Sequence, residues 1–184
     1  MDSKKRIEII QSWISTYVNE MPKKAQSLVI GVSGGIDSAV VSTISAMTGL
    51  KTIVLSMPIK QIKDQDDLSK LHCNWLQKNF KNTEYLNINL DETFSKFEDA
   101  LGKNDNEHAF ANSRARLRMT TLYQVAGSNH GIVVGTGNKV EDFGVGFYTK
   151  YGDGGVDISP IADCTKTQVW EMGRYLKIDQ KIID

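Results

Sequence analysis

The sequence predicts an α/β fold, a parallel twisted sheet with helices on both faces, and three observations carry that expectation. Short, β-branched apolar runs alternate with stretches whose apolar residues recur at helical spacing, the pattern of repeated strand-helix units. The first of these runs is apolar from Leu28 on rather than alternating, as a strand buried on both faces is. Nine of the 15 glycines fall between Gly127 and Gly155, a loop-rich stretch of the kind that follows strands where ligands bind.

Ile7, Ile10, Ile14, Tyr17 and Val18 recur at helical spacing until Pro22 stops them, so the first element is an amphipathic helix. Ser27 to Val32 reads as the first strand; a Gly/Ser turn follows, and a helix carrying Ala39, Val40, Ile44 and Met47 ends at Gly49. Thr52 to Leu55 is the second strand. The acidic run Asp64 to Asp67 suits a helix N-terminus and opens a helix with Leu68, Leu71, Trp75 and Leu76. Glu84 to Leu90 reads as a third strand, and Phe94, Phe97 and Leu101 share one side of a helix closed by Gly102. Ala111, Ala115, Met119, Leu122 and Ala126 form a stripe on a longer helix that leads into a strand from Gly131 to Gly135. Thr165 and Gln168 have capping-box spacing, so a last helix opens there and carries Val169, Met172 and Leu176. No repeat, low-complexity tract or linker interrupts the 184 residues, and residues 1–184 are expected to form a single domain.

Lys plus Arg and Asp plus Glu each number 22, so the net charge is zero. No overall cationic field then points to a nucleic acid or an anionic membrane as partner. No apolar run approaches the roughly 18 residues of a membrane span. The start, MDSKKRIEIIQ, lacks the apolar core of a secretory signal, and a cytoplasmic protein is expected. Cys73 and Cys164 stand far apart with no C-x-x-C pair, which suits reduced structural thiols rather than a disulfide or a zinc site. His72, His108 and His130 are scattered and adjoin no nucleophile, so no chemistry is assigned to them.

The stretch richest in chemistry is Gly31-Val32-Ser33-Gly34-Gly35-Ile36-Asp37-Ser38, at the junction of the first strand and the second helix. Backbone N–H groups at such a junction converge with the helix dipole on one point, and the hydroxyls of Ser33 and Ser38 add donors, so an anion is the natural occupant. The loop has no lysine and its glycines are spaced unlike G-x-x-x-x-G-K-[ST] or G-x-G-x-x-G, which disfavours a P-loop NTPase and a dinucleotide-binding dehydrogenase. Asp37 beside an anion cradle either meets a cation or caps the helix.

This loop resembles the S-G-G-x-D-S pyrophosphate loop of the N-type ATP pyrophosphatases, which adenylate a substrate and release pyrophosphate. Three further stretches are more selective: Asn112 to Met119, then Gly135-Thr136-Gly137-Asn138-Lys139-Val140-Glu141, then Gly146 to Asp157 with its T-K-Y-G-D-G-G string. Their order, followed by Thr165-Lys166-Thr167-Gln168, is similar to that of the ammonia-dependent NAD synthetases, over essentially the whole chain. That resemblance implies a Rossmann-like sheet of the adenine nucleotide α hydrolase type. It implies ATP- and magnesium-dependent amidation of deamido-NAD by ammonia, through a substrate adenylate, in a homodimer with the dinucleotide near the interface.

Carried over residue by residue, the resemblance puts the ATP phosphates on Gly31, Val32, Ser33, Gly34, Gly35, Ile36, Asp37 and Ser38, with Thr136 and Lys166 as further ATP contacts. Asp37 and Glu141 match magnesium positions, and with Lys166 they form the expected catalytic set. Arg116, Lys150 and Asp157 match contacts to deamido-NAD. Gly137-Asn138 stands where many bacterial members have Asp-His, and members run on beyond the position of Asp184, so a C-terminal segment is expected to be missing. On residue chemistry alone the carboxylates Asp37 and Glu141 would neutralise a triphosphate through magnesium. Arg114 and Arg118 share a helix face at i, i+4 while Arg116 points elsewhere. Two rivals stay open: another adenylating enzyme acting on a purine nucleotide or a tRNA, and a non-catalytic ATP-binding module.

Overall fold

The computed structural model describes residues 1–60, 63–102 and 106–183, with the backbone only of Lys63 and Phe143. Its elements are α1 (Ser3–Glu20), β1 (Ser27–Gly31), α2 (Ile36–Met47), β2 (Lys51–Ser56), α3 (Lys63–Asn79), β3 (Thr83–Asn87) and α4 (Asp91–Leu101). After these come α5 (Glu107–Ser128), β4 (Gly131–Val133), a π-helical segment (Lys139–Val145), α6 (Lys166–Tyr175) and α7 (Gln180–Ile183).

The four strands are parallel, in the order β3-β2-β1-β4. β1 lies between β2 and β4, in register through Val29 with Ile53 on one side and Val133 on the other. The chain therefore leaves β1 in one direction and returns on its far side, and the crevice beyond the carboxyl end of such a strand is where open α/β sheets take ligands. The loop of Gly31 to Ser38 starts there.

Period-two alternation assigns the strand residues to two layers. Leu28 and Ile30 face a core shared with Ile7, Ile14, Ile44 and Met172 of α1, α2 and α6, while α3 adds Cys73 and Leu76 to a neighbouring cluster around Val54. Val29, Ile53, Leu55 and Val133 face the opposite layer, built on Phe94 of α4 and Ala126 of α5. Helices thus cover both faces, as the strand-helix alternation predicts. Both cysteines are free and buried, and burial pushes the Cys73 thiol up to about 12.

Several boundaries differ from the sequence reading. β3 ends at Asn87 and β4 at Val133, short of the predicted Leu90 and Gly135. The chain stays beside its neighbours past both ends, because Ile88 donates to the Ser56 carbonyl and Val134 bridges to Ile158. Tyr17, Phe97 and Leu101 are exposed, as is Trp13; helical spacing names a side of a helix and not how much of it is covered. α7 is one turn, and the π-helical segment follows neither period 3.6 nor period 2, so neither matches a sequence template.

Candidate active site

Two serines brace the turn between β1 and α2. The Ser33 N–H donates to Ser38 Oγ (3.2 Å), and that hydroxyl donates to the Gly35 carbonyl (2.9 Å). Gly35 is the N-cap of α2 and no side chain caps the helix, so its first-turn N–H groups and dipole are directed at the loop. Asp37 does not cap it.

α3 braces the same loop from behind. Ser69 Oγ donates to the Val32 carbonyl (2.6 Å), and Gly34, at φ +91°, brings its Cα so close that a Cβ would lie 2.6 Å from the Gln65 carbonyl oxygen. The first of the two central glycines therefore serves packing against α3. Ser42 links this layer inward, donating to the Ser38 carbonyl (2.6 Å) and meeting His72 Nε2 at 3.1 Å. Burial pulls the His72 imidazole down to about 4, so it is neutral and structural.

Asp37, Glu141 and Lys166 converge from three elements. The Lys166 ammonium donates to Asp37 Oδ2 and, at 2.9 Å, to Glu141 Oε1. Burial alone would lower its pKa; the hydrogen bonds to the two carboxylates outweigh that and leave it raised. A cation is thus already favoured between these two carboxylates. Asp142 lies alongside, its own carboxyl raised by burial and then by the charges of Asp153, Glu141 and Asp37. Asn138 is fully buried. Its Oδ1 accepts from the N–H groups of Val140 (3.0 Å) and Glu141 (3.1 Å), and its Nδ2 donates to Asp37 Oδ1 (3.0 Å).

A cavity of about 630 Å³ opens beside the loop, between Gly31 to Ser33, Gly135 and Thr136 on the sheet edge and Arg114, Arg118 and Met119 of α5. The α5 stripe is largely a cavity wall: Ala115, Met119 and Leu122 line the space, and only Ala126 is buried. Arg118 donates from Nε to the Met57 carbonyl (2.9 Å), and its pKa is lowered by burial and then by Arg114. Arg114 pairs with Glu107.

The three residues matched to the dinucleotide lie on another face of α5. Arg116 Nε donates to the Lys150 carbonyl (3.1 Å), and both side chains are exposed. The Lys150 ammonium sits 5.0 Å from the centre of the Tyr151 ring. Asp157 is bonded into the sheet edge, accepting from the Val133 N–H (2.7 Å) and from Tyr123 OH (3.1 Å). Burial, and then the Asp157 carboxylate, push the Tyr123 phenol up to about 12. The T-K-Y-G-D-G-G string folds onto α5 as a tight turn, where a Cβ on Gly152 would come within 2.9 Å of the Ala115 Cβ.

The predicted residues therefore fall into two groups, the loop with Asp37, Glu141, Lys166 and Thr136, and the α5 strip with Arg116, Lys150 and Asp157. Sequence reasoning missed Asn138, and it placed no role on Arg114 and Arg118 although their i, i+4 spacing beside the Ala115–Met119 stripe put them on the cavity side. Asn with Glu141 three residues on is an N-cap signal, but nothing in the sequence signals the bond to Asp37, which the fold brings to it. Among the described residues no group of three metal-ligating side chains occurs, and no helix is long and apolar enough to cross a membrane.

The chain is 39% identical to the NH3-dependent NAD+ synthetase of Carboxydothermus hydrogenoformans, an alignment covering 97% of this chain and 72% of that protein. Among solved structures, an NMN synthetase from Francisella tularensis superposes with a TM-score of 0.91 at 34% identity, covering all of this chain and 74% of the other. An NH3-dependent NAD synthetase from Campylobacter jejuni, in complex with nitrate, gives 0.88 at 31%, covering all of this chain and 77% of the other. The match to the NAD synthase family runs over residues 6–184. The braced loop, the switch point at β1 and the paired carboxylates thus stand in a chain that belongs to the NAD synthase family.

Proposed function

We propose that the protein converts deamido-NAD to NAD, using ATP and ammonia and releasing AMP and pyrophosphate. The observation that carries this reading is the convergence of Asp37 and Glu141 on one cation position beside the anion-binding turn. A triphosphate brings several negative charges to that turn, and two carboxylates there make sense only with cations between them.

The loop N–H groups and the α2 dipole hold the phosphates, and Lys166 is within reach of them on the same side. Asp37 and Glu141 are hard oxygen donors too few to fill a coordination shell, which suits magnesium that keeps water and takes phosphate oxygens. When bound, magnesium would neutralise the triphosphate and ease departure of pyrophosphate. A nicotinate carboxylate oxygen attacks the α-phosphorus as pyrophosphate leaves. Ammonia then attacks the acyl carbon, AMP leaves, and the nitrogen loses a proton. The protein contributes orientation and charge placement, since two polyanions must be brought together. Arg116, Lys150 and Asp157 bind the dinucleotide on the outer face of α5, and the exposed Phe147 and Tyr148 beside them are covered by a second copy in a cytoplasmic homodimer.

Incubation with ATP, magnesium, ammonium and deamido-NAD should give NAD, AMP and pyrophosphate by mass, and little NAD with glutamine in place of ammonium. The similarity to the Francisella tularensis NMN synthetase favours one other reading, in which the acid amidated is a mononucleotide. Competition between nicotinic acid mononucleotide and deamido-NAD in the same assay separates the two by kcat/KM.

A further inference from the structure

We infer that Asn138 is the positioning residue that makes Asp37 and Glu141 a pair. This rests on reading the two carboxylates as the metal ligands. They come from separate parts of the chain, Asp37 from the first turn of α2 and Glu141 from the π-helical segment. One side chain holds both.

Asn138 is the N-cap of the π-helical segment, and its Oδ1 accepts from the N–H of Glu141 itself as well as from that of Val140. That bond sets where the backbone bearing Glu141 begins. Its Nδ2 donates to Asp37 Oδ1, which leaves Asp37 Oδ2 turned to the Lys166 ammonium and the second carboxylate. The donors and acceptors fix which way the amide points, because only the oxygen can accept from two N–H groups and only the nitrogen can donate to a carboxylate. Complete burial removes water as a substitute partner. Outer partners that orient metal ligands in this way commonly contribute 10- to 100-fold to metal affinity.

The test separates the cap from the tether. Serine at an N-cap keeps an acceptor for the N–H groups but is too short to reach Asp37. Asn138→Ser should keep its Tm within a few degrees of the wild type and bind α,β-methylene-ATP alone unchanged. Mn2+ affinity in the presence of that nucleotide, read from the electron paramagnetic resonance signal of free Mn2+, should fall roughly 10- to 100-fold. In an Asp37→Ala background the same substitution should add no further loss, as expected of a residue that acts through Asp37. Asn138→Thr caps in the same way and fills more of the space, and it repeats the test should the serine variant fold poorly. Unchanged Mn2+ affinity in Asn138→Ser, with Asp37→Ala and Glu141→Ala both impaired, overturns the positioning role alone. Unchanged affinity in Asp37→Ala and Glu141→Ala overturns the metal site on which it rests.

Discussion

The carboxylate pair beside the loop of Gly31 to Ser38 and the strip on the outer face of α5 are held in different ways. Asp37 is bonded on both oxygens by the side chains of Asn138 and Lys166, and the loop beside it is braced by Ser33, Ser38 and Ser69. Arg116 and Lys150 are exposed, and the contact between them runs through a backbone carbonyl. The first arrangement meets its ligand with the geometry set, so little ordering remains to oppose binding. In the second, order would have to come from a bound ligand or a second subunit. Only Asp157 on that strip is fixed, and its bonds go to β4 and Tyr123.

The largest effect expected is at the braced end. Asp37→Asn and Glu141→Gln keep shape and remove a charge, and each should lower kcat by roughly 10²- to 10³-fold. Steady-state assays at saturating ATP and magnesium check this, and wild-type turnover in both variants would remove the distinction between the two regions.

The bracing itself is testable by pH. His72 is held neutral by burial, with its pKa moved from 6.5 to about 4. The unfolded chain takes up the proton first as pH falls, so stability is full above pH 6.5, declines down to about pH 4 and is level below that. The loss should be about 3 kcal/mol by denaturant unfolding, and His72→Gln should flatten it.

Within the loop, the two central glycines should separate. Gly34→Ala meets the Gln65 carbonyl at positive φ and should cost about 2 kcal/mol or more of stability. Gly35→Ala meets only Ser33 Oγ at 3.4 Å, so its Tm should barely move while ATP affinity drops, because the new methyl stands at the anion-binding turn. Equal Tm losses in the two variants would show that neither glycine is there for the ligand.

The smallest effect is expected on the strip. Lys150→Ala should weaken deamido-NAD roughly tenfold by loss of one charge-assisted hydrogen bond and leave ATP alone unchanged. Separate titrations of each ligand decide it. Loss of ATP affinity with dinucleotide affinity intact would reverse the assignment of the two regions.

Much of this was legible in the residues. The run from Ser27 to Val32 and the capping box at Thr165 each depend on neighbours in sequence, and β1, one residue shorter than the run, and α6 form there. The meeting of Asp37, Glu141 and Lys166 depends on contacts 129 and 25 residues apart in sequence, and the order of family motifs alone brought Lys166 into the set. The bond from Asn138 to Asp37 was invisible for the same reason, since an asparagine after glycine reads equally well as an ordinary turn. Phe97 and Leu101 stand on α4 as read and are exposed, because helical periodicity does not encode what lies opposite a helix.

The contact between Gly34 and the α3 backbone bears on how far the loop can be treated as a portable part. A protein engineer who grafts its eight residues onto another parallel sheet transfers the donors but leaves behind Gln65 and Ser69, the wall that gives Gly34 its curvature. The unit to move is β1, α2 and the first turns of α3 together.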